Sequence, residues 1–329
     1  MRFPTSAPAL AVALAPVLLC GAACSGTPTE PGAGPLFGSD SCAIVRPAFG
    51  TAAASERAIF AYDAGAPLDL KKTLESTGSG VEQSAITFDS PGGGSATGLL
   101  FEPVGRPGLR PGIVLLHGMP GTARGMAPLG QALAQYGAVV IAIDAPFARR
   151  SGEPVRFIGA DRDEQVQLIQ DLQRAVDVLH EHPDVDDARI AYHGTSYGGA
   201  MGALFVGIEH RIRTAVLAVP DGGLVTHFTG PEDAELLAGL GCAARVAWLR
   251  AMTPIEPIRF IPQAPRTPLL VQSGRQDALV PPADAEALHA ATPEPRTIQW
   301  YDAGHGLTQQ ALVDRHNWLH EQVGLDPLP

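Results

Sequence analysis

"RIAYHGTSYGGAMGAL", residues 189–204, runs from a short apolar stretch through a glycine-rich turn into a helical pattern. The serine in the turn, Ser196, is fenced by Gly194 and Gly198. In a chain with 37 glycines the pattern G-x-S-x-G arises easily by chance, so the flanks must decide what this serine is. "RIAYH" is a nearly continuous apolar run, as in a strand covered on both faces. "YGGAMGAL" follows as a helix. A strand-turn-helix this tight leaves no room for side chains at Gly194, Gly198 and Gly199, and it lifts the serine hydroxyl above the sheet. It also sets the Tyr197 N–H at a helix N-terminus, where developing negative charge is stabilised.

The same rhythm extends both ways. "GIVLLH" (112–117), "AVVIAID" (138–144), "RTAVLAV" (213–219), "TPLLVQSG" (267–274) and "RTIQWYDAG" (296–304) read as buried strands. Helical patterns separate them at 122–136, 163–182, 197–208, 282–292 and up to about residue 322. In the long helix Leu168, Leu172, Ala175, Val176 and Leu179 form one apolar stripe. Such a series makes an α/β fold, a mostly parallel central sheet wrapped by helices. "SAITFD" (84–89) and "TGLLFEP" (97–103) flank the turn "SPGGGSA" and add an N-terminal antiparallel hairpin. Residues 221–266 interrupt the series, and a connection this long is a candidate lid over a site. The plainer alternative is an irregular connection that covers the sheet.

The 329 residues carry a net charge of −11, from 34 acids against 23 bases, and contain no basic run, so nucleic acid is not an expected partner. No apolar stretch reaches the roughly 18 residues that cross a bilayer. Residues 1–23 read as a signal peptide, with Arg2, the apolar "ALAVALAPVLL" and a small-residue exit. Cys24 followed by Ser25 resembles the acylated cysteine of a bacterial lipoprotein. The expectation is export, with a lipid anchor at Cys24 as the one membrane contact, or otherwise a periplasmic or secreted protein. Residues 24–40, rich in Pro, Gly and Ser, read as a tether, and 41–329 as a single domain. Cys42 and Cys242 remain as a candidate disulfide pair.

A serine hydroxyl needs a base to become a nucleophile and a carboxylate to orient that base. "SGRQDALVPP" puts Asp277 just beyond one buried strand, and "DAGHG" puts His305 just beyond the last. "LLHGMPG" ends another strand and offers the Met119 N–H as a second oxyanion donor beside Tyr197. Asp302 is the substitute acid and His316 a poor substitute base, while His117 and His193 read as structural. Arg149 and Arg150, in "DAPFARRSG", are candidates to grip a substrate carboxylate. No Cys/His cluster suggests a metal, and no cofactor is expected.

"HGMPG", "RIAYHGTSYGG", "SGRQDALVPP" and "DAGHG" together resemble the α/β-hydrolase superfamily, most of all its dienelactone-hydrolase-like and prolyl-oligopeptidase-like esterases. The resemblance covers residues 80–323 and implies Ser196, Asp277 and His305 as a catalytic triad, with the Met119 and Tyr197 amides as oxyanion hole. Dienelactone hydrolase itself carries Cys where this chain has Ser196. The expected activity is cleavage of a small carboxylic ester through an acyl-enzyme. The alternatives are a serine peptidase or amidase of the same fold, and a non-catalytic surface protein that uses the fold for binding.

Overall fold

The computed structural model describes residues 42–231 and 233–329. The expected signal peptide, the tether and Cys24 lie outside the described residues. Among the described residues nine strands form one sheet. They are β1 (Lys71–Gly78), β2 (Val81–Asp89), β3 (Ser95–Pro103), β4 (Arg110–Leu116), β5 (Val139–Ile143), β6 (Val185–Thr195), β7 (Thr214–Ala218), β8 (Leu269–Gly274) and β9 (Arg296–Tyr301). Their order is β1-β2-β3-β5-β4-β6-β7-β8-β9. β1, β2, β3 and β5 pair antiparallel in turn, and every pairing from β5 through β4 to β9 is parallel. The mostly parallel sheet with an antiparallel N-terminal hairpin is thus observed.

The apolar runs explain the layering. Every residue of β4, β5, β7 and β8 is buried, as strands with helices on both faces require. Successive side chains of β5 divide between the two layers: Val139, Ile141 and Ile143 enter one core, Val140 and Ala142 the other. The first core holds helices α3 (Gly159–His180) and α4 (Tyr197–Val206); the second holds α2 (Ala127–Gln135) and α9 (Gln309–Val323). A short α1 (Ala54–Arg57) precedes the sheet, and α8 (Pro282–Ala291) links β8 to β9. Residues 221–266 fold as α5 (Leu224–Phe228), α6 (Ala234–Ala238), α7 (Cys242–Met252) and three short 3-10 turns.

β1 escapes the sequence reading for a physical reason: all eight of its residues are exposed, so no apolar alternation marks it. Backbone pairing to β2 holds it, through a two-residue turn in which Ser79 and Gly80 both have positive φ, 51° and 74°. A bulge between Leu74 and Ser76, together with Lys71 and Lys72, makes this sheet edge a poor template for further strands.

An N-terminal arm lies along the 221–266 segment. Cys42 is disulfide-bonded to Cys242 at the start of α7, and Arg46 bonds Asp284 and the Thr226 carbonyl. Further along, the Ala52 amide donates to the Arg259 carbonyl at 2.8 Å, and Arg259 pairs with Glu56, also at 2.8 Å. This arm corrects one expectation. The N-terminal cysteine that the structure describes, Cys42, has its sulfur committed to Cys242 and presents no free thiol for a lipid, while Cys24 lies outside the described residues. The lipid anchor, the membrane contact it implied and the envelope localisation built on it are withdrawn. Among the described residues no helix is long and apolar enough to cross a membrane.

Candidate active site

Ser196 is the single residue between β6 and α4, with φ 56° and ψ −120°. A non-glycine residue held there costs about 1–3 kcal/mol and persists only where the surroundings enforce it. They do: the Ser196 amide donates to the Ala218 carbonyl at 2.8 Å, its carbonyl accepts from the Ala200 amide at 2.9 Å, and the buried Tyr192 hydroxyl donates to the Gly198 carbonyl at 2.6 Å. A Cβ added at Gly194 would lie 2.0 Å from the Gly198 carbonyl oxygen, and one at Gly198 would lie 2.3 Å from that of Leu116. Only glycine fits either place.

The loop after β4 passes against the serine: a Cβ built on Gly118 would fall 3.2 Å from Ser196 Cβ and 3.7 Å from its Oγ. His117 holds this loop. Its Nδ1–H donates to the Gly118 carbonyl at 2.8 Å and its Nε2 accepts from the Ala145 amide at 3.1 Å. Burial pushes its pKa down, outweighing the bond to Gly118, so the ring stays neutral with both nitrogens occupied. Asp144 braces the next turn by accepting from the Ala123 amide at 2.7 Å. The Met119 and Tyr197 amides donate to no protein acceptor among the described residues.

At the same end of the sheet, the loops after β8 and β9 bring Asp277 and His305 together. His305 Nδ1 donates to Asp277 Oδ2 at 2.8 Å, and Asp277 Oδ1 accepts from the Leu279 and Val280 amides, both at 2.9 Å. Burial alone would raise the Asp277 pKa. The bonds from His305 and the two amides, with the charge of His305, hold it below the usual carboxylate range. The acid is buried, while the histidine side chain stays 24% exposed. Asp302 is 84% exposed and touches Arg275, not the histidine. His316 packs on Tyr136 and bonds the Asp326 carbonyl, and His193 is fully buried in β6.

A cavity of about 380 Å³ opens beside the serine, with Ser196, Met119 and Tyr197 in its wall. Leu279 and Val280, whose amides hold Asp277, line it too, and Leu224 and Phe228 of α5 bring in the 221–266 segment. Arg149 and Arg150 are not brought to this cleft. Arg149 is spent on Asp171 at 2.6 Å and on the Asp144 carbonyl; Arg150 is spent on Glu164 at 2.6 Å and on the Glu153 and Pro154 carbonyls.

The sequence reading missed the cleft's own charged groups, Glu153, Asp221 and His227. His227 Nδ1 donates to Asp221 Oδ2 at 2.9 Å, and its Nε2 lies 3.6 Å from Asp233. Burial lowers the His227 pKa, but the bond to Asp221 and the nearby carboxylates of Asp221, Asp233 and Asp284 raise it more. Asp221 carries a usable signal, because it stands just past the apolar run of β7, as Asp277 does past β8. His227 has none.

A sequence model described as the prolyl oligopeptidase family matches residues 129–316. The Arabidopsis thaliana protein "Alpha/beta hydrolase domain-containing protein WAV2" is 31% identical over 137 residues, 38% of this chain and 42% of its own length, so the chain spans less than half of that relative. Among solved structures, the acetyl xylan esterase from Paenibacillus sp. R4 superposes with a TM-score of 0.65 at 20% identity, over 82% of this chain and 92% of that one. A puromycin-hydrolysing peptidase of Mycobacterium tuberculosis superposes with a TM-score of 0.59 at 18% identity, over 78% of this chain and 41% of that one. At these identities the structural likeness speaks for the fold.

Proposed function

Because this chain belongs to the prolyl oligopeptidase family, on an α/β-hydrolase fold, we propose that it is a serine hydrolase that cleaves a peptide or amide bond through an acyl-enzyme on Ser196. A hydrolase-type enzyme is what fold and family share. The family match reverses the order expected from the sequence, which put esters first. The observation that carries the site assignment is the 2.8 Å hydrogen bond from His305 to the buried Asp277, at the sheet end that bears Ser196.

In this reading His305 Nε2 takes the proton from Ser196 Oγ as the oxygen attacks the acyl carbon, and Asp277 stabilises the resulting imidazolium. The Met119 and Tyr197 N–H groups receive the oxyanion, which a helix N-terminus favours. The tetrahedral adduct collapses, the C–N bond breaks, and His305 returns its proton to the departing amine. Water, deprotonated by His305, then releases the acid and restores the serine. Among the described residues Glu153, Asp221 and His227 line the cleft with no Lys or Arg, and because His227 is paired with Asp221 the remaining carboxylate, Glu153, suits neutral or cationic substrates better than anionic ones.

Ester cleavage uses the same atoms, with an alcohol leaving, and is the second reading, brought in by the acetyl xylan esterases among the structural neighbours. The test compares wild type and Ser196→Ala on peptidyl p-nitroanilides and p-nitrophenyl esters of matched acyl group. Loss of all turnover in the variant, by at least about 1,000-fold, is expected, and the better wild-type substrate series decides between amide and ester. Undiminished turnover by Ser196→Ala would overturn the assignment.

A further inference from the structure

On the other side of the sheet, between α2 and α9, lies a second cavity of about 400 Å³. Its size falls in the range of about 300–1,000 Å³ usual for small-ligand sites. Leu129 and Leu133 of α2, Leu312 and Leu319 of α9, and Leu328 of the C-terminal segment give it apolar walls. Among the described residues its titratable lining groups are Arg315, His193, His316 and Tyr136, with no carboxylate among them.

Arg315 is the anomaly. It is only 8% exposed, and it forms no ion pair among the described residues. Its Nε donates to Gln272 Oε1 at 3.1 Å and to the Ala311 carbonyl at 3.2 Å, and among the described residues its Nη groups find no acceptor. The neighbouring acid in the helix, Asp314, is engaged by the Tyr301 hydroxyl at 2.7 Å and by Gln310 at 2.8 Å. His193, fully buried in the same lining, has no partner for its Nδ1 among the described residues. A buried cation without a counter-ion is costly, and burial pulls the Arg315 pKa below its ordinary value. What this site lacks is an acceptor-only anion carried on an apolar body.

We propose that the α2/α9 cavity binds an amphipathic monocarboxylate, a medium-chain fatty acid, with its carboxylate on the Arg315 guanidinium and its chain between the leucines. Two parallel N–H···O bonds from the free Nη edge would supply the missing acceptors. The chain would cover Leu312, which is now 43% exposed. The site shares no lining residue with the Ser196 cleft, and it stands whether or not the hydrolase assignment does.

Calorimetric titration of the full chain with decanoate tests this, beside 1-decanol as the uncharged probe. Wild type is expected to bind decanoate saturably and decanol at least about tenfold more weakly. Arg315→Gln should lose that preference. Leu312→Glu, an exposed substitution that leaves the core intact, should abolish decanoate binding by setting a like charge at the mouth while Ser196-dependent turnover stays unchanged. Absence of decanoate binding to wild type, equal affinity for the two probes, or unchanged binding to Leu312→Glu would each overturn the proposal.

Discussion

The candidate residues Ser196 and Asp277 emerge within a few residues of a buried apolar strand, and His305 within a few residues of the half-buried β9, and this made them legible: a strand end fixes where the next few residues must emerge. What a side chain meets across the fold is not written locally. "FARR" gives no sign that Asp171 and Glu164 of α3 consume both guanidinium groups, and "LVTHF" none that its histidine faces Asp221. Two outcomes belong at this scale. Asp277→Asn keeps the shape but not the negative charge that fixes the His305 tautomer, so kcat in a steady-state assay should fall about 10⁴-fold with little change in melting temperature. Gly198→Ala drives a methyl into the Leu116 carbonyl, a rigid backbone neighbour, and should cost more than about 4 kcal/mol in urea unfolding along with all turnover. A variant that unfolded like wild type would contradict the contact geometry of the Ser196 turn.

The elements divide by what marks them. Buried strands and the long α3 announce themselves by apolar runs and stripes, whereas β1 is held by backbone pairing to β2 and by exposed polar contacts such as Lys72 to Glu102 and Arg124 to Glu75, and carries no such mark. The 221–266 segment, read in sequence as a candidate lid with a helix-capable stretch at "EDAELLAGLGCAARVAWLRAM", folds largely as short helices, because its apolar residues, among them Leu237, Trp248, Leu249 and Met252, close onto the same core as α3. Within it, His227 ties α5 to Asp221 at the end of β7. The folded state raises the His227 pKa above the ordinary 6.5, so it binds the proton more tightly than the unfolded chain does. The resulting stabilisation is complete below about pH 6.5 and is lost as pH rises through the folded value. Urea unfolding of wild type and His227→Gln should therefore differ most near pH 5.5 and least near pH 9. A gap that did not change with pH would mean that the Asp221 contact carries no proton linkage.

For the whole molecule, the Cys42–Cys242 bond closes a loop across a separation of 200 residues, the kind of link that most restricts an unfolded chain. Cys242→Ser should lower stability by about 2–4 kcal/mol. Reductant should reproduce that drop in wild type and add nothing to the variant. Counting cysteines permitted the pair but said nothing of the path that the arm takes past Arg46, Ala52 and Glu56, because those contacts join residues some 180 to 240 positions apart.

That path bears on how a protein of this design can be altered. Residues 221–228 line the cleft, so the 221–266 segment invites exchange as a cassette for changing specificity, yet it is stitched to a strap encoded near the N-terminus. A graft of that cassette alone would inherit a severed seam: an unmatched cysteine, an Arg46 without its carbonyl and a Glu56 without its arginine. Strap and cassette form one inheritable unit, split in sequence and continuous in space.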